Sequence, residues 1–103
     1  MQTQQSLGPA LPAADQQPSS NVKALFYIVG DADPAFLPRI IEPVAKLGHA
    51  PSRVHASSEA GDGSVMSVDL RVADVSQTYA KRMEHALRGI VGVTQVIAVY
   101  ERC

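Results

Sequence analysis

The run Leu25–His49, LFYIVGDADPAFLPRIIEPVAKLGH, constrains this chain more than any other segment. An apolar strand stops at Gly30, a short acidic loop follows, and a helix opens at Asp33-Pro34. Asp is a good N-cap because its carboxylate accepts bonds from the free N–H groups of the first turn. Pro just inside the start forfeits no bond that the helix would have made. Such a loop aims backbone N–H groups and a helix N-terminus at one place, which suits an anionic group such as a carboxylate.

The rest of the chain extends this strand–loop–helix unit. Val22–Val29 reads as a nearly continuous apolar strand, the pattern of a central position in a sheet. Leu37, Ile40, Ile41, Val44 and Leu47 recur at helical spacing, and Gly48 stands where a helix C-terminus takes positive φ. Pro38 fits the first turn, whereas Pro43 removes an internal bond and predicts a kink. Ala50–Ser58 is a weaker strand in which Val54 and Ala56 alternate with Arg53, His55 and Ser57. Pro51 at its start marks a sheet edge.

Glu59–Gly63 is a turn, and Met66, Val68, Leu70 and Val72 then alternate with Ser67, Asp69 and Arg71 as a strand wet on one face. A second helix over Ser76–Arg88 carries Tyr79, Met83, Leu87 and Ile90 in its stripe, and Val93–Tyr100 is the last strand. The order β-α-β-β-α-β with right-handed crossovers predicts a ferredoxin-like α+β domain. Its sheet is four-stranded and antiparallel, with both helices on one face. That domain spans residues 21–103. Before it, Met1–Ser20 is rich in Gln, Pro, Ala and Ser without periodicity, and reads as a disordered tail.

Composition narrows the function classes. At 103 residues there is room for one domain and not two. A net charge of −1 with scattered Lys and Arg gives no electrostatic footprint for nucleic acid or an anionic membrane. No apolar run reaches the roughly 18 residues a membrane span needs, and the N-terminus lacks the basic and hydrophobic regions of a signal peptide, so the cytoplasm is expected. Cys103, the only cysteine, excludes an internal disulfide and any CxxC motif.

The reactive residue types form no constellation. Asp31 and Asp33, one residue apart at a helix start, serve as cap and macrodipole partners before acid–base catalysts. Gly61-Asp62-Gly63 lies in a hairpin turn and matches no phosphate-loop pattern. His49, His55 and His85 are dispersed without metal-ligand spacing, and Cys103 has no neighbouring base, so neither metal nor cofactor is expected. Arg53 and His55 face outward on an edge strand and suit a partner. An exposed edge of that kind predicts a homodimer in which two sheets join side by side.

The element order, with DADPAFLPRIIEPVAKLG after the first strand and VMSVDLRV in the third, resembles an ACT domain over Val22–Glu101. Within that family it is similar to the small regulatory subunit of acetolactate synthase, of the short valine-insensitive type. Asp33-Pro34, Leu37, Arg39-Ile40-Ile41 and Ser67–Val72 carry the likeness. The resemblance implies a non-catalytic subunit that activates the large catalytic subunit of acetolactate synthase in branched-chain amino-acid biosynthesis. It also implies an amino-acid effector loop at Gly30, Asp31, Ala32, Asp33, Pro34 and Ala35. Effector-binding members have Gly after the loop Pro, where this chain has Ala35, and valine-responsive ones have Asn where it has Ala32. Branched-chain amino acids are therefore expected to bind weakly or not at all.

Two other readings stand beside this one. The first is a stand-alone amino-acid sensor with another target. The second is an acylphosphatase-like enzyme, which would need an Arg-bearing phosphate cradle where this chain has acidic GDADPA.

Overall fold

The computed structural model describes residues 21–59 and 61–103; the expected tail, Met1–Ser20, lies outside them. Six elements follow in order: β1 (Asn21–Asp31), α1 (Phe36–Lys46), β2 (Arg53–Ser58), β3 (Val65–Ser76), α2 (Gln77–Arg88) and β4 (Val93–Arg102). They form one sheet in the order β2-β3-β1-β4, with every neighbouring pair antiparallel. The fold is the expected βαββαβ.

Alternation along β1 explains why it sits at the centre. Val22, Ala24, Phe26 and Ile28 are buried on the helical side, where they meet Val68, Leu70, Val72 and Val75 from β3 and Val96 from β4. Phe36, Ile40 and Val44 from α1 and Ala80, Met83 and Leu87 from α2 close the core above them. These residues recur every three or four positions, so each helix presents a single buried stripe. Among the described residues no helix is long and apolar enough to cross a membrane.

Three local expectations are corrected. α1 begins at Phe36 and not at Asp33-Pro34, which form a turn before it, and Phe36 belongs to the core although periodicity placed the stripe's start at Leu37. Pro43 lies inside α1, where the spacing placed it. β2 starts at Arg53, after Pro51 has been passed. Tyr79 is not a core residue: it is 39% exposed, and Ala80 takes the inward position. Met83 and Leu87 keep the inward places that the spacing gave them, and the Ser76 side chain caps the helix by accepting the Tyr79 N–H at 3.1 Å. Gly48 has φ +83, as its place after α1 requires.

α2 is fastened to the edge strand β4 through the Tyr100 hydroxyl, which reaches Glu84 and lies 3.4 Å from the Ala80 carbonyl oxygen. The Tyr100 hydroxyl donates to a Glu84 carboxylate oxygen, and Arg88 grips the other oxygen through Nη2 at 2.8 Å and Nε at 3.1 Å. The Tyr100 bond, then Arg88, holds Glu84 below the ordinary carboxylate value. Burial, reinforced by Glu84, pushes the Tyr100 phenol well above its own. The two shifts act on opposite sides of neutrality. A depressed carboxylate contributes stability above its unfolded value of 4.5, and that contribution is lost as pH falls through the folded pKa. A raised phenol contributes stability that is full below 10 and is lost as pH rises through the folded pKa. Melting temperature should therefore decline on both limbs, with Glu84→Gln flattening the acid limb and Tyr100→Phe the alkaline one. Variant curves that merely run parallel to the parent would refute the assignment.

Candidate functional site

The loop joining β1 to α1 holds the candidate effector residues, and the N–H groups of Asp31, Ala32 and Ala35 are engaged within the protein. Asp31 N–H bonds to the Gly92 carbonyl at 3.0 Å, and Ala32 N–H bonds to the Ser64 carbonyl at 3.0 Å. Asp33 then folds the chain back on itself. Its carboxylate accepts Ala35 N–H at 2.7 Å, and its carbonyl accepts Phe36 N–H at 2.8 Å. This is an Asx-turn, in which a short acidic side chain replaces the ligand that the helix start would otherwise attract. Pro34 and Pro38 supply no N–H at all. Ala35 sits at φ −86 and ψ −4, ordinary helical values, so no left-handed turn opens the helix start.

Gly30 fixes how closely this loop lies on the sheet. A Cβ there would stand 2.5 Å from the Gly92 carbonyl oxygen and overlap the Phe36 ring. Glycine is needed because two backbones and an aromatic ring meet at that point.

The second candidate surface is at the other side of the sheet. Arg53 and His55 lie on exposed β2, where His55 pairs in register with Asp69 and Arg53 with Arg71. Arg71 holds the Asp69 carboxylate through Nε at 3.1 Å and Nη2 at 3.2 Å, while Arg53 Nε approaches it at 3.6 Å. Sequence alternation placed Asp69 and Arg71 on the outer face but did not show that one carboxylate serves both arginines. Where β2 meets β3, Glu59 accepts hydrogen bonds from Ser67 and Ser57 at 2.7 Å each. These hydroxyls, Ser67 first, hold it below the usual carboxylate range. Ser67 is thereby buried with its polar atom satisfied, although the strand pattern reads it as wet.

The remaining candidates are not brought together. His49 follows α1 and packs edge-on against Tyr79, His55 lies on β2, and His85 is in the last turn of α2. No cluster of three His, Cys, Asp or Glu that could hold a metal occurs among the described residues. An open cleft of about 370 Å³ lies between the start of β1 and the start of α2, lined by Asn21, His49, Asp74, Ser76, Thr78 and Tyr79. Asp74 adopts φ 56 there, with its carboxylate held by Asn21 Nδ2 at 2.9 Å. No local pattern marks this cleft, because its residues come from three separate stretches of the chain.

Sheet order and the placement of both crossovers define an ACT-like, ferredoxin-like fold. No family model matches the sequence, and no curated protein does. Solved structures do match. The crystal structure of the ACT domain from GTP pyrophosphokinase of Chlorobium tepidum is similar at TM-score 0.63 and 18% identity, over 77% of this chain and 99% of that one. The solution structure of the same domain gives 0.61 and 18%, over 78% and 88%. The C-terminal domain of the MgtC protein from Mycobacterium tuberculosis gives 0.62 and 10%, over 81% and 90%. At such identities the likeness is one of fold.

Proposed function

We propose that this domain is a non-catalytic regulatory module that docks on a larger enzyme of amino-acid metabolism. The large catalytic subunit of acetolactate synthase is the first partner to test, on the strength of the sequence resemblance. One observation supports action through protein contacts over action as an amino-acid sensor: the Asp33 carboxylate already holds the Ala35 N–H at the helix start. An amino-acid carboxylate would have to displace Asp33 from the Ala35 N–H. The helix terminus offers such a ligand roughly 0.3–1 kcal/mol at an exposed site. Losing one hydrogen bond costs about as much.

Mixing the purified domain with the acetolactate synthase large subunit should give a complex by sedimentation and a rise in turnover. Absence of both removes this partner. Valine, leucine and isoleucine at sub-millimolar concentration should leave the amide resonances of residues 30–37 in place. Saturable shifts there would restore the sensor reading, and Ala32→Asn with Ala35→Gly should then bind more tightly than the parent.

A further inference from the structure

The ladder between β1 and β3 breaks its regularity once. Val22 pairs with Val75 and Ala24 with Val72, so β3 passes three steps where β1 passes two. All four of these residues are buried, which keeps the core continuous across the bulge. A β-bulge bends its strand and re-aims a side chain. The residue inserted here includes Asp74 at φ 56, a conformation that a residue with a Cβ adopts only when its surroundings hold it there.

Asp74 belongs to the cleft of about 370 Å³ at the start of β1 and α2. Its carboxylate accepts Asn21 Nδ2 at 2.9 Å, and no Lys, Arg or His pairs with it among the described residues. The same Asn21 amide has a buried Oδ1 that accepts no hydrogen bond among the described residues. Buried acceptors left unmade are uncommon in folded proteins, and this one stands on the carboxamide that touches Asp74. Two neighbouring acceptors, one of them charged, therefore lack donors. Tyr79 and His49 line the cleft too, packed edge-on with ring centres 6.1 Å apart. Tyr79 already carries one guanidinium, that of Arg82 at 5.6 Å, and Arg82 is not among the residues lining the cleft.

We propose that this cleft binds a small guanidinium compound. Its N–H fork is shared between the Asp74 carboxylate and Asn21 Oδ1, and its plane lies against the Tyr79–His49 wall. The site is separate from the β1–α1 loop, since the two lie at opposite ends of β1, and it does not depend on which enzyme the domain regulates.

Other ligand chemistries fit less well. An anion would meet Asp74, and the nearby donors Asn21 Nδ2 and Tyr79 N–H are spent within the chain. A metal would find no group of three His, Cys, Asp or Glu among the described residues. An alkylammonium ion brings the right charge, but it is compact, strongly hydrated and without a plane to lay on a ring. A guanidinium is planar, more weakly hydrated, and carries its donors in a fixed fork.

Titrating the labelled full chain with agmatine should shift the amides of residues 74–79 and the Asn21 side-chain amide saturably. A Kd of roughly 1 mM is expected for a ligand of this size. Putrescine has the same charge with an ammonium in place of the guanidinium, and should bind roughly tenfold more weakly or worse. Asp74→Asn tolerates positive φ and removes only the charge, so it should weaken agmatine roughly tenfold or more. Asp62→Asn, in the turn between β2 and β3, should leave binding unchanged, with circular dichroism checking that both variants fold. Absence of saturable shifts at roughly ten times the expected Kd would overturn the proposal. So would equal affinity for putrescine, or binding indifferent to Asp74→Asn. Shifts confined to residues 30–37 would overturn it as well, while returning the loop to consideration as a sensor.

Discussion

Gly30→Ala should lower the melting temperature of the domain by about 12–24 °C. The added methyl group has nowhere to go: the Gly92 carbonyl oxygen lies 2.5 Å from its position and the Phe36 ring overlaps it. The carbonyl is the harder obstacle, because it also accepts the Asp31 N–H at 3.0 Å and cannot retreat without breaking that bond. Overpacking a dense site typically costs 1–3 kcal/mol. A broken buried-backbone bond adds about 1 kcal/mol. A total of about 3 kcal/mol lowers the melting temperature of a domain this size by about 12–24 °C. A melting temperature within a few degrees of the parent would mean that the loop and the β4 entry can part freely, and the description of a tightly seated loop would be wrong.

Phe36→Ala should be at least as damaging, for the opposite reason. Phe36 is fully buried at the first position of α1, packed against the β1 end where Gly30 admits it. Truncation leaves a cavity beneath the helix start, and such changes cost about 3–5 kcal/mol. Phe36→Leu, which keeps most of the volume, should recover more than half of that loss in chemical denaturation. Equal loss in both variants would show that the ring's shape, and not the volume it fills, holds α1 in place. The two substitutions together test one idea: the candidate loop is positioned by core packing, with its polar bonds following.

Much of this fold is legible in the residues. β1, β3 and α1 announce themselves because each has one periodicity and one buried side, and Gly48 carries its own signal for ending a helix. The errors cluster where tertiary contacts decide. Phe36 precedes the regular stripe and is recruited to the core by the gap at Gly30, a relation between positions that no local pattern encodes. Tyr79 has helical spacing with Met83 and Leu87, but Ala80, three residues before Met83, shares that face and is the one buried. Ser67 reads as a solvent-facing residue until Glu59, eight positions earlier, is seen to accept its hydroxyl.

The candidate loop was legible in part. Asp33 was recognisable as a residue that satisfies a helix start. That it does so three residues ahead of Phe36, by occupying the Ala35 N–H, depends on a backbone turn that no periodicity encodes. The edge strand β2 was likewise readable from Pro51 and the weak alternation. The greater length and apolar centre of β4 emerge only when the strand order is known.

β2 is joined to the domain by its ladder with β3, and its inward-facing Val54 is 41% exposed, so neither helix covers it. Detaching it would sacrifice one row of backbone bonds, the Arg53–Asp69 contact and the Ser57 hydroxyl's contacts with Glu59 and Ser67, while leaving the core whole. Hydrogen exchange in β2 should therefore proceed through a local opening that β1 and β3 do not share. The domain then has a rigid body and one releasable strap. A partner gripping that strap could alter the outer face without having to melt the protein.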